Sequence, residues 1–178
     1  MITPYRATVA PKPAHVCLRA PALLLSTLGL TALAGFGLGQ EKSRAKAQPT
    51  VVFVCEHGAA RSVIAAAYFN KLAVERQLPF RAIARGTTPQ ENPSASTLAG
   101  LQRDGIVIRP DKPKGLTASE ASDALRVVSF CPLPPSIKAS RVDTFDDVPP
   151  PADGYDRSRD AVLKHVRELL DELAGQHR

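Results

Sequence analysis

The stretch "TVVFVCEHGAARSVIAAAYF", Thr50 to Phe69, constrains the fold more than any other part of the chain. Thr50 to Val54 is a short β-branched run of the kind found in strands buried on both faces. It stops at a bare cysteine, Cys55. Arg61 to Arg76 then reads as a helix, with Ile64, Tyr68, Leu72 and Glu75 marking its turns and an alanine-rich interior that favours helix. Only Glu56 to Ala60 join the two, so the chain must reverse within a tight loop.

The remainder continues the alternation. "PFRAIARG" is a second strand closed by Gly86, and "PSASTLAGLQRDG" is a helix with Pro93 at its start and Gly105 just past its end. "IVIRP" is short and extended. "LTASEASDA" starts a helix at a Thr117 cap, with Glu120 three residues on as in a capping box. "LRVVSF" is a third buried strand leading into Cys131, and "RVDTF" is a fourth. In the last helix Val162, Val166, Leu169, Leu170 and Leu173 share one face, opposite Asp160, Lys164, Glu168 and Asp171. The expectation is an α/β fold: a three-layer sandwich with a central parallel sheet of about four strands and helices on both faces. Ligands of such sheets bind beyond the carboxyl ends of the strands, where Cys55 and Cys131 both lie.

The formal charge of +6 suggests nucleic acid until it is located. Residues 1–50 carry six basic side chains and one acidic, while the remaining 128 residues carry 17 basic and 16 acidic. The body is nearly neutral and lacks a basic stripe studded with aromatics, so a nucleic-acid partner is not expected. Arg6, Lys12 and Arg19 instead precede an uncharged stretch from Ala20 to Gln40, and Ala32-Leu33-Ala34 offers a small-x-small cleavage site. Residues 1–34 therefore read as a signal peptide or membrane leader, 35–49 as a polar linker and 50–174 as the folded domain. This predicts an exported protein that meets a membrane only through its leader. The alternatives are an uncleaved single-pass anchor and a misassigned start that leaves a cytoplasmic protein. Cys17 would leave with the leader, so the body keeps Cys55 and Cys131, enough for one disulfide but not for a disulfide framework or a zinc site. No metal or cofactor is expected.

The loop after Cys55 has the composition of an anion cradle. Backbone N–H groups of Glu56, His57, Gly58, Ala59 and Ala60, together with a helix N-terminus, can surround an oxyanion above the sulfur. Arg61 adds a planar fork suited to two oxygens of a tetrahedral ion. The same positive field favours a thiolate at Cys55, and the Ser62 hydroxyl is placed to donate to it. Gly58 supplies backbone freedom, and Ala59 and Ala60 leave room for a ligand. His57 reads equally as an oxyanion or thiolate partner and as a loop side chain in solvent. There is no G-x-x-x-x-G-K-[ST] and no G-x-G-x-x-G, so nucleotide loops are excluded.

"VCEHGAARS" resembles the phosphate-binding loop of the low-molecular-weight protein tyrosine phosphatases and of the arsenate reductases that share their fold. "RVVSFCPLPPS" and "VDTFDDVP" are similar to later segments of the same superfamily. The resemblance implies that Cys55 is the nucleophile, Arg61 the oxyanion clamp and Ser62 the thiolate's donor. It also implies that an aspartate of "FDDVP" is the general acid, Asp147 ahead of Asp146. Where the family usually has Asn and often a second Cys, this loop has Ala59 and Ala60. Val148 separates Asp147 from Pro149, and the aromatic pair that grips a phenyl ring is absent. Cys131 resembles a redox cysteine of the arsenate reductases and could form one disulfide with Cys55, reducible by an outside thiol. Three functions follow as expectations. The first is a cysteine-dependent phosphatase that hydrolyses phosphate monoesters through a phosphocysteine. The second is a thiol-dependent arsenate reductase, and the third a non-catalytic oxyanion-binding protein.

Overall fold

The computed structural model describes residues 48–109 and 111–177; the expected leader and nearly all of the linker lie outside them. Four strands, β1 (Thr50–Cys55), β2 (Arg81–Gly86), β3 (Arg126–Ser129) and β4 (Val142–Thr144), form a parallel sheet in the order β2-β1-β3-β4. The helices are α1 (Arg61–Glu75), α2 (Ala95–Arg103), α3 (Ala118–Asp123) and α4 (Tyr155–Gln176), with a 3₁₀ turn at Pro151–Asp153. Among the described residues no helix is long and apolar enough to cross a membrane.

Alternation along the strands sorts the core into two layers. Val51, Phe53 and Cys55 of β1 face the same side as Val128 and Phe130, and they pack with α1, α2 and α4. Val52, Val54 and Val127 face the other side, where Ala121 of α3 and the chain around Leu133 and Ile137 cover them. The three-layer α/β expectation therefore holds, with one thick helical layer and one thin one. The thin layer is tied down by charge: Arg85 on β2 forks onto Glu120 of α3, with Nε 2.9 Å from Oε1.

Most boundaries fall where the local signals place them. Thr117 and Glu120 form the reciprocal capping box, and α4 buries the five apolar residues of its stripe. The start of α2 differs by two residues. Ser94 is the cap, its side chain accepting from the Thr97 N–H, so Pro93 precedes the helix. Among the described residues Ile106 to Arg109 join no strand, and the chain beyond them meets the sheet at an isolated bridge between Gly86 and Gly115.

The sheet order carries the functional consequence. From β1 the chain steps through α1 to one neighbour, β2, and then crosses back through α2 and α3 to the other neighbour, β3. Connections leave β1 and β3 in opposite directions, and the crevice at such a switch point is where open α/β sheets hold ligands. Cys55 is the last residue of β1.

Candidate active site

Residues 56–60 turn back toward α1, and the direction of their peptide groups is fixed from outside. The carbonyls of Cys55, Glu56, His57 and Ala59 accept from the N–H groups of Thr87 (3.1 Å), Thr88 (2.7 Å), Gln90 (3.3 Å) and Ser94 (3.1 Å). With its carbonyls drawn outward to the 87–94 segment, the loop turns its N–H groups the other way. Among the described residues no N–H from His57 to Val63 meets a protein acceptor. Nor does any side chain cap α1, whose first turn has no acidic residue. A row of free donors at an uncapped helix N-terminus is a site for an oxyanion. Alanine at 59 gives the loop no side-chain brace of its own, and the 87–94 backbone supplies one.

Two glycines make that contact possible. Gly58 has φ +63°, and a Cβ there would lie 2.8 Å from the Gly86 nitrogen. A Cβ on Gly86 would in turn lie 2.8 Å from the Gly58 nitrogen and 2.9 Å from the His57 carbonyl carbon. The freedom expected of Gly58 is therefore used. Gly86 sits in the same contact, although in the sequence it marks only a strand end.

Cys55 is 4% exposed, and its Sγ lies 3.0 Å from Ser62 Oγ, itself fully buried. Arg61 reaches over the Phe130 ring, 5.7 Å from guanidinium to centroid, and its Nη1 donates to the Val148 carbonyl at 3.2 Å. The structure thus brings Cys55, Gly58, Ala59, Ala60, Arg61 and Ser62 into one place. Glu56 and His57 belong to the loop backbone, but their side chains turn outward. Both are exposed, 4.0 Å apart, with His57 Nδ1 3.4 Å from the Thr88 carbonyl oxygen.

The acidic pair after β4 splits between the two sides of the sheet. Phe145 enters the α1/α4 core, and Asp147 follows it to that side, where both carboxylate oxygens accept from His165 Nε2 at 2.8 and 2.9 Å. Hydrogen bonding to His165 holds the Asp147 carboxyl below the usual range. Asp146 turns the other way, into a groove shared with Ser129, Cys131, Leu133, Val142 and Thr144. Asp147 precedes Val148, whose carbonyl Arg61 holds, whereas Asp146 shares its groove with Cys131.

Cys131 follows Phe130 at the end of β3, half-buried and free, as is Cys55. Burial pushes the Cys131 thiol up, while hydrogen bonds with Thr87 and Ser129 and the charge of Arg61 act against it.

The local residues of this site were readable from the sequence. His165 was not: it stands on α4 between Lys164 and Val166, and no spacing rule links it to an aspartate 18 residues earlier in a loop. The bracing role of Thr87 to Ser94 was equally hidden, because it is exerted by backbone atoms.

No protein-family profile and no curated protein sequence matches the chain. Its fold, however, matches solved structures, several of them across nearly their full length. YfkJ from Bacillus subtilis superposes with a TM-score of 0.67 at 18% identity, over 75% of this chain and 99% of that one. A low-molecular-weight phosphotyrosine phosphatase from Vibrio cholerae O395 gives 0.61 at 16%, over 72% and 98%. A thioredoxin-dependent arsenate reductase from Corynebacterium glutamicum gives 0.54 at 22%, over 72% of this chain and 62% of that one. The likeness is one of fold.

Proposed function

We propose that this chain, which has the fold of low-molecular-weight phosphotyrosine phosphatases and arsenate reductases, is a cysteine-dependent phosphatase. It would hydrolyse phosphate monoesters through a phosphocysteine. The observation that carries the reading is the row of unpaired N–H groups around a buried cysteine at the sheet's switch point. In the proposed cycle the Cys55 thiolate, supported by Ser62, attacks phosphorus. The loop N–H groups and Arg61 hold the three equatorial oxygens as charge moves onto the leaving oxygen. Arg61 leaves its resting partner, the Val148 carbonyl, to do so. An aspartate of the 146–147 pair protonates the leaving group, and water then attacks the phosphocysteine and releases phosphate and the thiolate.

The test is turnover of 4-nitrophenyl phosphate by the purified protein. Cys55→Ser should abolish it, and turnover that survives the substitution would end the proposal.

Arsenate reduction is the second reading, favoured by the free thiol of Cys131 at the adjacent strand end. Arsenate matches phosphate in shape and charge, so the cradle accepts either. Reduction of As(V) to As(III) takes two electrons, which the two thiols would supply on forming a Cys55–Cys131 disulfide that an external dithiol then reduces. Parallel phosphatase and arsenate-reduction assays, each with and without dithiothreitol, separate the two. If the cradle binds phosphate yet neither reaction proceeds, the chain is an oxyanion-binding protein.

A further inference from the structure

We propose that His165 is a positioning residue for the leaving-group proton: the Asp147–His165 pair, rather than Asp147 alone, stores the proton that the substrate oxygen receives. The inference rests on the phosphatase reading above. Three observations carry it. Both carboxylate oxygens of Asp147 lie within 2.9 Å of His165 Nε2, the distance at which a single Nε2–H bridges the ring and the carboxylate. The ring is fixed from behind, stacked on Phe145 at 4.3 Å and 21°, with its side chain only 19% exposed. Phe145 meets Phe130 edge-on at 5.8 Å, and Phe130 lies beneath the Arg61 guanidinium, so the pair is joined to the oxyanion clamp by a continuous ladder of rings.

The chemistry explains why a partner is needed. A solvent-exposed aspartate is ionised at neutral pH and has no proton to give. Here the carboxyl is held lower still. An imidazolium donating through Nε2 would give the pair one transferable proton. As the P–O bond breaks, the proton on Nε2 passes to the carboxylate and from there to the leaving oxygen. The pair is left as neutral imidazole and carboxylate, beside the alcohol and phosphocysteine. In the second half, attacking water gives a proton to the carboxylate, and it returns to the ring. The charged groups around the ring are Asp147 itself, Glu168 on α4 at 3.9 Å from Nδ1, Lys164 on α4, which acts on Asp147, and Arg61 on α1 at the far end of the ladder.

The test uses His165→Gln, Asp147→Asn and the double variant, with 4-nitrophenyl phosphate, which has a good leaving group, and phenyl phosphate, which has a poor one. With phenyl phosphate at neutral pH, His165→Gln should lose about 10²-fold in kcat, the lower range for general acid catalysis. The loss with 4-nitrophenyl phosphate should be much smaller. The alkaline limb of the kcat profile should move to lower pH in His165→Gln, and the double variant should be no worse than Asp147→Asn. Equal losses on both substrates with an unmoved limb would reduce His165 to a packing residue and overturn the proposal, as would full additivity in the double variant. Carboxyl NMR titration reads the pair without turnover. Asp147 should titrate below an ordinary aspartate and rise in His165→Gln. An unchanged titration overturns the pairing, whereas a wild-type protein inert to both substrates with the pairing intact overturns the phosphatase reading instead.

Discussion

Gly58 and Gly86 hold the candidate site at the level of single atoms. Each lies where the other's Cβ would go, and the atoms that a new methyl would strike are backbone, unable to step aside like a flexible side chain. Gly86→Ala should therefore cost about 1–3 kcal/mol, in the range of overpacked cores. Because the loop must shift to relieve it, Cys55-dependent turnover should fall as well. Denaturant unfolding and phosphatase assays on the same sample check both, and a variant that loses stability without losing turnover would show that the cradle tolerates the shift. Among the described residues, Ser62→Ala removes the only side-chain partner of the Cys55 sulfur. A hydrogen bond to a charged group contributes about 1.5–3 kcal/mol, so turnover should drop roughly 10- to 100-fold. Binding of inorganic phosphate should be kept, since the cradle is made of backbone.

At the scale of elements, α2 is docked by one carboxylate. Asp104, just past its end, accepts from Tyr68 of α1 at 2.6 Å and from Tyr155 of α4 at 2.7 Å, and it meets Arg159 of α4 at 3.3 Å. Gly100 leaves the space that the Tyr155 ring fills. The helices themselves are legible in the sequence because each carries its own period and cap, as Thr117 with Glu120 and the α4 stripe do. Their docking is not, because Asp104 reads as an ordinary polar residue before Gly105, and tyrosines read as core whatever their hydroxyls find. The same division explains the site, where Cys55 to Ser62 are local and His165 is not.

Burial opposes ionisation of Asp104, but the two tyrosines and Arg159 outweigh it and hold its carboxyl below the usual value. Asp104→Asn should destabilise the protein by about 1–3 kcal/mol at neutral pH, as for a lost buried hydrogen-bond partner. On the alkaline side, burial first and the Asp104 bond second push Tyr68 up to about 12. An unfolded tyrosine ionises near pH 10, so this contribution is complete below that pH and fades between about 10 and 12. Asp104→Asn should flatten that alkaline decline in a pH series of unfolding curves.

At the scale of the whole domain, a buried charge network lies at the end of the sheet opposite the site. Arg126 opens β3 with only 2% of its side chain exposed. It holds Asp143 of β4 at 2.5 Å and Glu172 of α4 at 3.1 Å, while Arg141 reaches Glu172 at 2.6 Å. Removing a buried ion leaves its partners uncompensated, so Arg126→Ala should cost about 3–5 kcal/mol, with turnover per folded molecule unchanged.

The carboxylates of these ties respond together to acid. Hydrogen bonds from Arg126 hold Glu172 down, those from Arg85 hold Glu120 down, and Asp104 is lowered as described. Each group has a folded value below its unfolded one, so the unfolded chain binds more protons over the interval between them. Stability from these groups is complete above the ordinary carboxylate range near pH 4 and is lost as pH falls through it toward the depressed folded values. The three ties lock different parts: α4 to β3, α3 to β2, and α2 to α1 and α4. Acid should therefore loosen both helical layers in one transition rather than strip one from the sheet. Unfolding curves at pH 7, 4 and 3 should show a steady fall in stability, with far-ultraviolet and near-ultraviolet signals coincident. Equal stability at pH 7 and 3 would show the ties to be energetically idle, and separated transitions would show that the two layers melt independently.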